Sequence, residues 1–367
     1  MIINNETKKI RLEDLGYTQF FASSRHQLGL DDFQVARVTA EYQGAYRVKN
    51  ENGEYLARVT GKQMFSATSR EDYPAVGDFV AITELNKEQA VIHRVLPRRT
   101  IIKRKDSGKN EIQIMAANVD TAFVIESVDR DYNLNRLERY FAIARSGGVE
   151  PAVILNKTDL ISKEELNTKT EQIKNRLAQA GVIPTSAVSE QGLDELKRYL
   201  EKGKTYCFLG SSGVGKSSLI NKLLGTNNIK TRGVSLHSGR GTHTTTNREM
   251  YFLPGGSIVI DSPGMREVGI TDAGDSIDNV FDEILALAEK CKFKDCSHTH
   301  EPGCEVLSAV NSNRLDKGKY SNYLNLKKEA AHYGMTELEK REKNRKFGKF
   351  IKKAKEGLKK HGHKGYF

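Results

Sequence analysis

The sequence predicts a multidomain protein: a small N-terminal β-barrel, a doubly wound α/β domain, and a helical C-terminal region that holds a metal ion. Three observations carry this. Residues 33–103 are short alternating runs broken by glycine, asparagine and polar turns. From about residue 110, apolar runs alternate with amphipathic stretches. Three of the four cysteines, Cys291, Cys296 and Cys304, lie close together beside His298 and His300. The expected division is an N-terminal extension over 1–30, a barrel over 31–108, an α/β domain over 109–276, a metal-binding domain over 277–340 and a basic tail over 341–367.

Bulk properties narrow the classes. A chain of 367 residues has room for two or three domains. Its 38% hydrophobic and 29% charged content suits a soluble folded protein. No apolar run approaches the length of a membrane-spanning helix. The N-terminus, MIINNETKKIRLEDLGY, lacks the apolar core of a signal peptide, so a cytoplasmic protein is expected. In that compartment, clustered cysteines point to metal rather than disulfides. The net charge is +11, but residues 341–367 alone hold 11 Lys/Arg against Glu342 and Glu356. A basic tail on a nearly neutral body points to a polyanionic partner, with nucleic acid first.

Taken in order, residues 1–30 are mixed, with a short helix expected around 12–21. FQVARVTAEYQGAYRVKN, GEYLARVTG, VGDFVAITE and QAVIHRVL supply about five short strands, which suggests a small barrel. Gly77-Asp78 fits a tight turn into Phe79. The closing run RRTIIKRK carries Arg98, Arg99, Lys103, Arg104 and Lys105, either as a solvated face or as an RNA contact. VDTAFVIE, PAVILN, VIPTSA, YCFLG and SIVID then read as strands, with helices over 134–145 and 164–179 between them. Such a sheet binds ligands at the carboxyl ends of its strands. Residues 277–340 read as helical around the cysteines. In the tail, Phe347, Phe350, Ile351, Ala354 and Leu358 share one helical face among lysines, although Gly348 and Gly357 weaken it as an isolated helix.

The segment Gly210-Ser211-Ser212-Gly213-Val214-Gly215-Lys216-Ser217, followed by Ser218, fits G-x-x-x-x-G-K-[ST]. A strand precedes it and a helix over Lys216–Leu224 follows, which argues against a chance match in a Gly/Ser loop. Its backbone N–H groups would face phosphate, with the helix dipole behind them. Lys216 would reach the β and γ phosphates, and Ser217 would hold Mg²⁺. Asp261-Ser-Pro-Gly264 matches D-x-x-G: Asp261 would reach Mg²⁺ through water, and the Gly264 N–H would meet the γ-phosphate. Asn156, Lys157, Thr158 and Asp159 fit N-K-x-D. A carboxylate at 159 accepts from guanine N1–H and the exocyclic N2, whereas adenine offers no amino group there, so GTP is selected. Ser186-Ala187 resembles the loop whose N–H meets guanine O6.

Gly239-Arg-Gly-Thr-His-Thr-Thr-Thr246 lies between the phosphate loop and Asp261, where a first switch belongs. Thr245 is the expected Mg²⁺ contact, with Thr244 and Thr246 as alternatives. Ras-like enzymes place a water-orienting glutamine after D-x-x-G. Met265 stands there and cannot do this. His243 is then the internal catalytic candidate, its alternative role being a contact to a partner.

Cys291-x₄-Cys296-x-His298-x₅-Cys304 offers three thiolates and an imidazole, a frequent structural zinc set. His300 is a competing ligand, and buried free thiols are the alternative. Cys207, on the strand entering the phosphate loop, is expected in the core.

Together these motifs resemble the circularly permuted, ribosome-small-subunit-dependent GTPases (RsgA, also called YjeQ or YloQ) over residues 33–330. The guanine motif precedes the phosphate loop, the inverse of Ras, and C-K-F-x-D-C-x-H-x-x-E-P-G-C is specific to the group. The resemblance implies an OB-fold barrel, a permuted GTPase domain and a zinc domain. It also implies GTP hydrolysis stimulated by the small ribosomal subunit during its late maturation. The N-terminal residues and the basic tail extend beyond it, as in a divergent paralogue. The expected partners are the small subunit with its 16S rRNA, GTP and GDP, with the chain acting as a monomer. A GTP/GDP-switched RNA-binding module with negligible hydrolysis, and a GTPase held at a membrane surface by its tail, are the alternatives. Because the phosphate-sensing half comes last, the switch is expected to feed the zinc region directly.

Overall fold

The computed structural model describes residues 10–105, 112–129, 131–178, 180–226, 229, 248–262 and 274–335, and 338–339, 341–342, 345–349 and 351–353 of the tail. Five strands form the barrel: β1 (Gln34–Tyr42), β2 (Ala45–Lys49), β3 (Glu54–Val59), β4 (Phe79–Glu84) and β5 (Gln89–Val95). They run β1-β2-β3-β5-β4, and β4 pairs back to β1. Closure removes the exposed edges that an open sheet of this size would carry. Only β3 and β5 pair in parallel, giving the five-stranded arrangement of an OB-type barrel. Alternation drives it: in β3, Tyr55 and Ala57 face inward between exposed neighbours. They meet Ala36, Val38, Val48, Val80, Ile82 and Ile92 in the barrel core.

The N-terminal segment departs from the expected helix over 12–21. A 3-10 turn, Leu12–Leu15, stops at Gly16, and a separate α-helix spans Gln19–Gln27. The break is conformational: Gly16 has φ +83, and a Cβ there would stand 2.7 Å from the Arg37 guanidinium. The two pieces bury Leu15 and Phe21, together with Leu30 just after them, against Phe79 on the outside of the barrel.

A hairpin, β6 (Ile101–Lys105) and β7 (Ile112–Ala117), leaves the barrel. Arg98, Arg99, Lys103 and Arg104 of the basic run before and within it are engaged inside the chain. Arg98 forms a bidentate pair with the fully buried Asp78 at 2.7 and 2.8 Å, and donates to the Glu71 and Tyr73 carbonyls. Arg99 pairs with Asp120, Lys103 with Glu71, and Arg104 with Gln113. For Arg98, both the solvated face and the RNA contact are therefore replaced by a structural role. Arg98→Met would strand the Asp78 carboxylate, which burial already pushes up from its ordinary range. Breaking one half of a buried pair costs about 3–5 kcal/mol. Thermal denaturation should show a lower melting temperature for this variant, whereas Lys87→Ala, an exposed turn residue, should leave it unchanged.

The central sheet comprises β8 (Thr121–Ser127), β9 (Glu150–Asn156), β10 (Val182–Pro184), β11 (Thr205–Leu209), β12 (Glu249–Phe252) and β13 (Ile258–Asp261). Its order is β10-β9-β8-β11-β13-β12, parallel except for β12. The expected helices appear at Leu134–Ser146 and Lys163–Arg176. The latter carries a capping box between Ser162 and Glu165. The strand β12 was not among those expected, being four residues long. It joins the two parts of the molecule, because Glu249 pairs with Ala40 of β1. Arg248 reinforces the joint by donating to Glu41 (2.9 Å) and to the Ile114 carbonyl (3.1 Å). Arg37, also fully buried, donates to the carbonyls of Leu15, Gly77 and Asn118, tying N-terminal segment, barrel and sheet together.

The C-terminal region is helical, as expected, with helices Gly274–Val280, Asp282–Ala288, Glu305–Asn311 and Lys317–Gly334. Phe281, Ile284, Val306, Tyr323 and Leu326 belong to the same apolar core as Val124, Leu137 and Phe141. The buried Glu138 accepts from Arg176 (2.7 and 2.8 Å) and from Asn322 (2.5 Å). Arg139 pairs bidentately with Glu329. This region therefore packs on the sheet's helix instead of hanging from it as a bead. Among the described residues, no helix is long and apolar enough to cross a membrane. In the tail, Phe347 and Ile351 are exposed, while Phe350, Ala354 and Leu358 lie outside the described residues.

Candidate functional site

The phosphate-loop residues occupy the turn between β11 and the helix Lys216–Leu224. The sequence folds this way because its glycines take conformations other residues resist. Gly215 has φ +100, and a Cβ there would lie 2.3 Å from Asn156 Nδ2. Asn156 uses that close approach: its Nδ2 donates to the Val214 carbonyl at 2.8 Å. The first residue of the base motif thus braces the phosphate loop, a role that motif spacing alone did not indicate.

Lys216 is buried, and its ammonium donates to the carbonyls of Gly210 (2.7 Å) and Ser211 (2.8 Å). Burial pushes its pKa down to about 8, with Asp261 opposing the shift. Asp261, at the end of β13, is pushed up to about 6, again by burial, with Lys216 and Ser217 opposing. Ser217 Oγ stands 3.4 Å from Asp261 Oδ2. Asp261 Oδ1 is buried without a hydrogen-bond partner among the described residues. A cation and a carboxylate that are both strained by desolvation suit a ligand bringing phosphate anions and a divalent cation.

Asn156 ends β9, and Lys157, Thr158 and Asp159 follow it, beside the loop after β10. Thr158 N and Oγ1 both donate to the Thr185 carbonyl at 3.1 Å, and Thr185 Oγ1 donates to Asn156 Oδ1 at 3.1 Å. Ser186 Oγ donates to Asp159 Oδ1 (2.5 Å) and accepts from the N–H groups of Val188 and Ser189. The two segments are therefore stitched into one wall, the expected base-reading face, with Ala187 on its turn. The site thus brings together Asn156 to Asp159, Ser186, Ala187, Gly210 to Ser218 and Asp261. His243, Thr244, Thr245, Thr246, Gly264 and Met265 lie outside the described residues. Cys207 is fully buried behind the loop, where burial pushes its thiol up to about 12.

A second centre lies in the helical region. The ligand atoms of Cys291, Cys296, His298 and Cys304 all fall within 4.8 Å of one another. Cys291 Sγ is 3.8 Å from Cys304 Sγ, and His298 Nδ1 is 3.6 and 3.5 Å from those sulfurs. Tetrahedral zinc, with bonds of about 2.3 Å to sulfur and about 2.0–2.1 Å to nitrogen, needs edges of about 3.8 and about 3.6 Å. The donor set fits the ion. His298 joins the donor set from a left-handed backbone (φ +58), with its carbonyl accepting from Tyr320 OH at 2.6 Å. His300, the competing ligand, is exposed and bonded to Thr299, outside the cluster. Glu301 was missed in the sequence: its carboxylate gathers the N–H groups of Ser297, Thr299 and His300, fixing the loop between two ligands.

The RsgA GTPase family model matches residues 95–271. A protein of Lactiplantibacillus plantarum named small ribosomal subunit biogenesis GTPase RsgA 2 is 40% identical over 316 residues, covering 86% of this chain and 89% of its own. The chain belongs to the RsgA GTPase family. Among solved structures it is similar to YjeQ from Thermotoga maritima, with a TM-score of 0.61 and 27% identity, covering 80% of this chain and 96% of that one. YloQ, described as a circularly permuted GTPase, superposes with a TM-score of 0.57 at 20% identity over 83% of this chain and 97% of its own, a likeness of fold. As an RsgA GTPase the chain is a GTP hydrolase with the permuted order that its motifs display.

Proposed function

We propose that this GTPase binds the small (30S) ribosomal subunit and its 16S rRNA, assists the subunit's late maturation in the cytoplasm, and leaves as a monomer after subunit-stimulated hydrolysis. The observation that carries this is the continuity of the molecule. Barrel, nucleotide sheet and Cys₃His region share strands or core, so phosphate state and RNA-facing parts can act on one another. The name of the L. plantarum relative supplies the kind of partner.

In this reading the loop from Gly210 to Ser218 cradles the phosphates. Lys216 turns from its loop carbonyls to the β and γ phosphates. Ser217 and Thr245 would be the Mg²⁺ ligands, and Asp261 would act on the ion through water. When bound, Mg²⁺ neutralises phosphate charge and aligns the γ-phosphate. Gly264 donates to that phosphate. Asn156, Lys157, Thr158 and Asp159, with Ser186 and Ala187, select guanine. His243 orients the attacking water, a task Met265 cannot perform. Cys291, Cys296, His298 and Cys304 hold one structural zinc. The tail, with Arg345, Lys346, Lys349, Lys352 and Lys353 beside exposed Phe347, adds a salt-sensitive RNA contact.

The test is GTP turnover with and without purified small subunits. Marked stimulation is expected, and His243→Ala should lose it while keeping GDP affinity. Equal turnover in both conditions for the unaltered chain would remove the ribosomal assignment. Normal stimulated turnover in His243→Ala would remove only the catalytic role.

A further inference from the structure

Asp129 lies outside every motif, yet it sits at the carboxyl end of β8, next to the base-reading wall. Its Oδ2 is 2.8 Å from Lys157 Nζ, and both side chains are about three-quarters buried. The other oxygen is fixed: Oδ1 accepts from Ser127 Oγ (2.8 Å) and from the Asp131 N–H (3.1 Å). The turn carrying Asp129 is itself pinned to the N-K-x-D turn. Ser127 pairs with Asn156 across β8 and β9, and the Val128 N–H donates to the Asn156 carbonyl at 3.1 Å. Burial alone would raise the Asp129 carboxyl. Lys157, the Asp131 N–H and Ser127 outweigh it and hold the group below its ordinary range. Lys157 also has an unusual backbone, left-handed at φ +63.

We propose that Asp129 is a positioning residue of the guanine site, holding the Lys157 side chain in place so that its stem is ready to pack on the base. This rests on the guanine-site assignment made above. A free lysine has four flexible torsions, and ordering it opposes binding. An anchor at its tip removes part of that cost before the nucleotide arrives. The anchor touches neither phosphate nor metal positions, so GDP and GTP gain equally.

The experiment is a thermodynamic cycle read by titration with fluorescent GDP and a non-hydrolysable GTP analogue. Asp129→Asn should weaken both by about fivefold, the scale of one partly buried ion pair. In a Lys157→Met background the same change should have less than a twofold effect, because the group to be positioned is gone. Asp129→Glu should recover part of the loss. A loss of equal size in both backgrounds, or none in either, overturns the proposal. A loss confined to the GTP analogue overturns it too. Asp159→Asn serves as the control for the site itself. Its amide offers a donor for the 2-oxo group of xanthine, so preference should move from GDP to XDP. Unaltered guanine preference in that variant overturns the guanine-site assignment and this inference with it.

Discussion

Lys216→Met is expected to lower nucleotide affinity by about 10²–10³-fold while leaving the empty protein at least as stable as before. Both effects have one cause. The ammonium is buried against two carbonyls and, among the described residues, has no carboxylate in direct contact, so its charge opposes folding until phosphate arrives. Its pKa, pushed down to about 8 by burial, gives the sign. The unfolded chain holds this proton more tightly, so the cost is fully present below about pH 8. It is relieved as pH rises from there toward the ordinary lysine value. Methionine keeps the apolar stem and removes the charge. With nucleotide the balance reverses, because the lysine is the buried partner of phosphate. Removing one member of such a pair costs about 2–5 kcal/mol, and each 1.4 kcal/mol is about tenfold. Titration with fluorescent GDP and thermal denaturation of the nucleotide-free protein check both halves. A fall in the melting temperature of the empty protein would show that the two carbonyl bonds outweigh desolvation.

Removing the zinc proposed for the Cys₃His centre is expected to unfold the C-terminal helices while sparing the barrel. A Cys₃His centre contributes folding free energy directly, about 10–16 kcal/mol in isolated zinc modules near neutral pH. Here the ligands do more than bind. Cys304 caps the helix Glu305–Asn311 by accepting from the Leu307 N–H, and Cys291 follows the helix Asp282–Ala288. Loss of the ion leaves three thiols and an imidazole with no common centre, and frees the loop between them. Because Phe281, Val306 and Leu326 share the core under the sheet, the damage should spread to the helix Leu134–Ser146. A chelator that releases the metal, or Cys304→Ser, should lower the melting temperature by more than about 10 °C, since several kcal/mol are lost and each shifts a domain of about 150–250 residues by roughly 2–4 °C. Proteolysis should then open 274–335 first and leave residues 34–95 intact. Unchanged proteolysis after complete metal release would show that the apolar core alone holds the helices.

The nucleotide motifs were legible in the sequence because each is a local device. A phosphate loop needs glycines at set offsets, and N-K-x-D and S-A each occupy a few consecutive residues. The Cys₃His set was legible for the same reason, since its spacing is the length of one loop. The barrel was legible from alternation. The N-terminal helix was misplaced because Gly16, forced by Arg37 to remain a glycine in a left-handed turn, splits it. The strand β12 escaped notice because four residues carry too little periodicity.

The sequence by itself thus determined the nucleotide, the Cys₃His donor set, the kinds of domain and the permuted order. Only the tertiary structure decided how these parts are joined. It placed Arg98 on Asp78, Arg37 on three distant carbonyls and Asp129 on Lys157, and it set β12 against β1. It also amended one expectation about the permutation. The expectation routes the switch to the metal region alone, whereas β12, the strand that precedes Asp261, is bonded to the barrel. The physical reason is range. Backbone geometry and ligand spacing are set within a few residues, where sequence order is distance. The partner of a buried charge is chosen by desolvation, which leaves its mark only where the chain has folded back on itself.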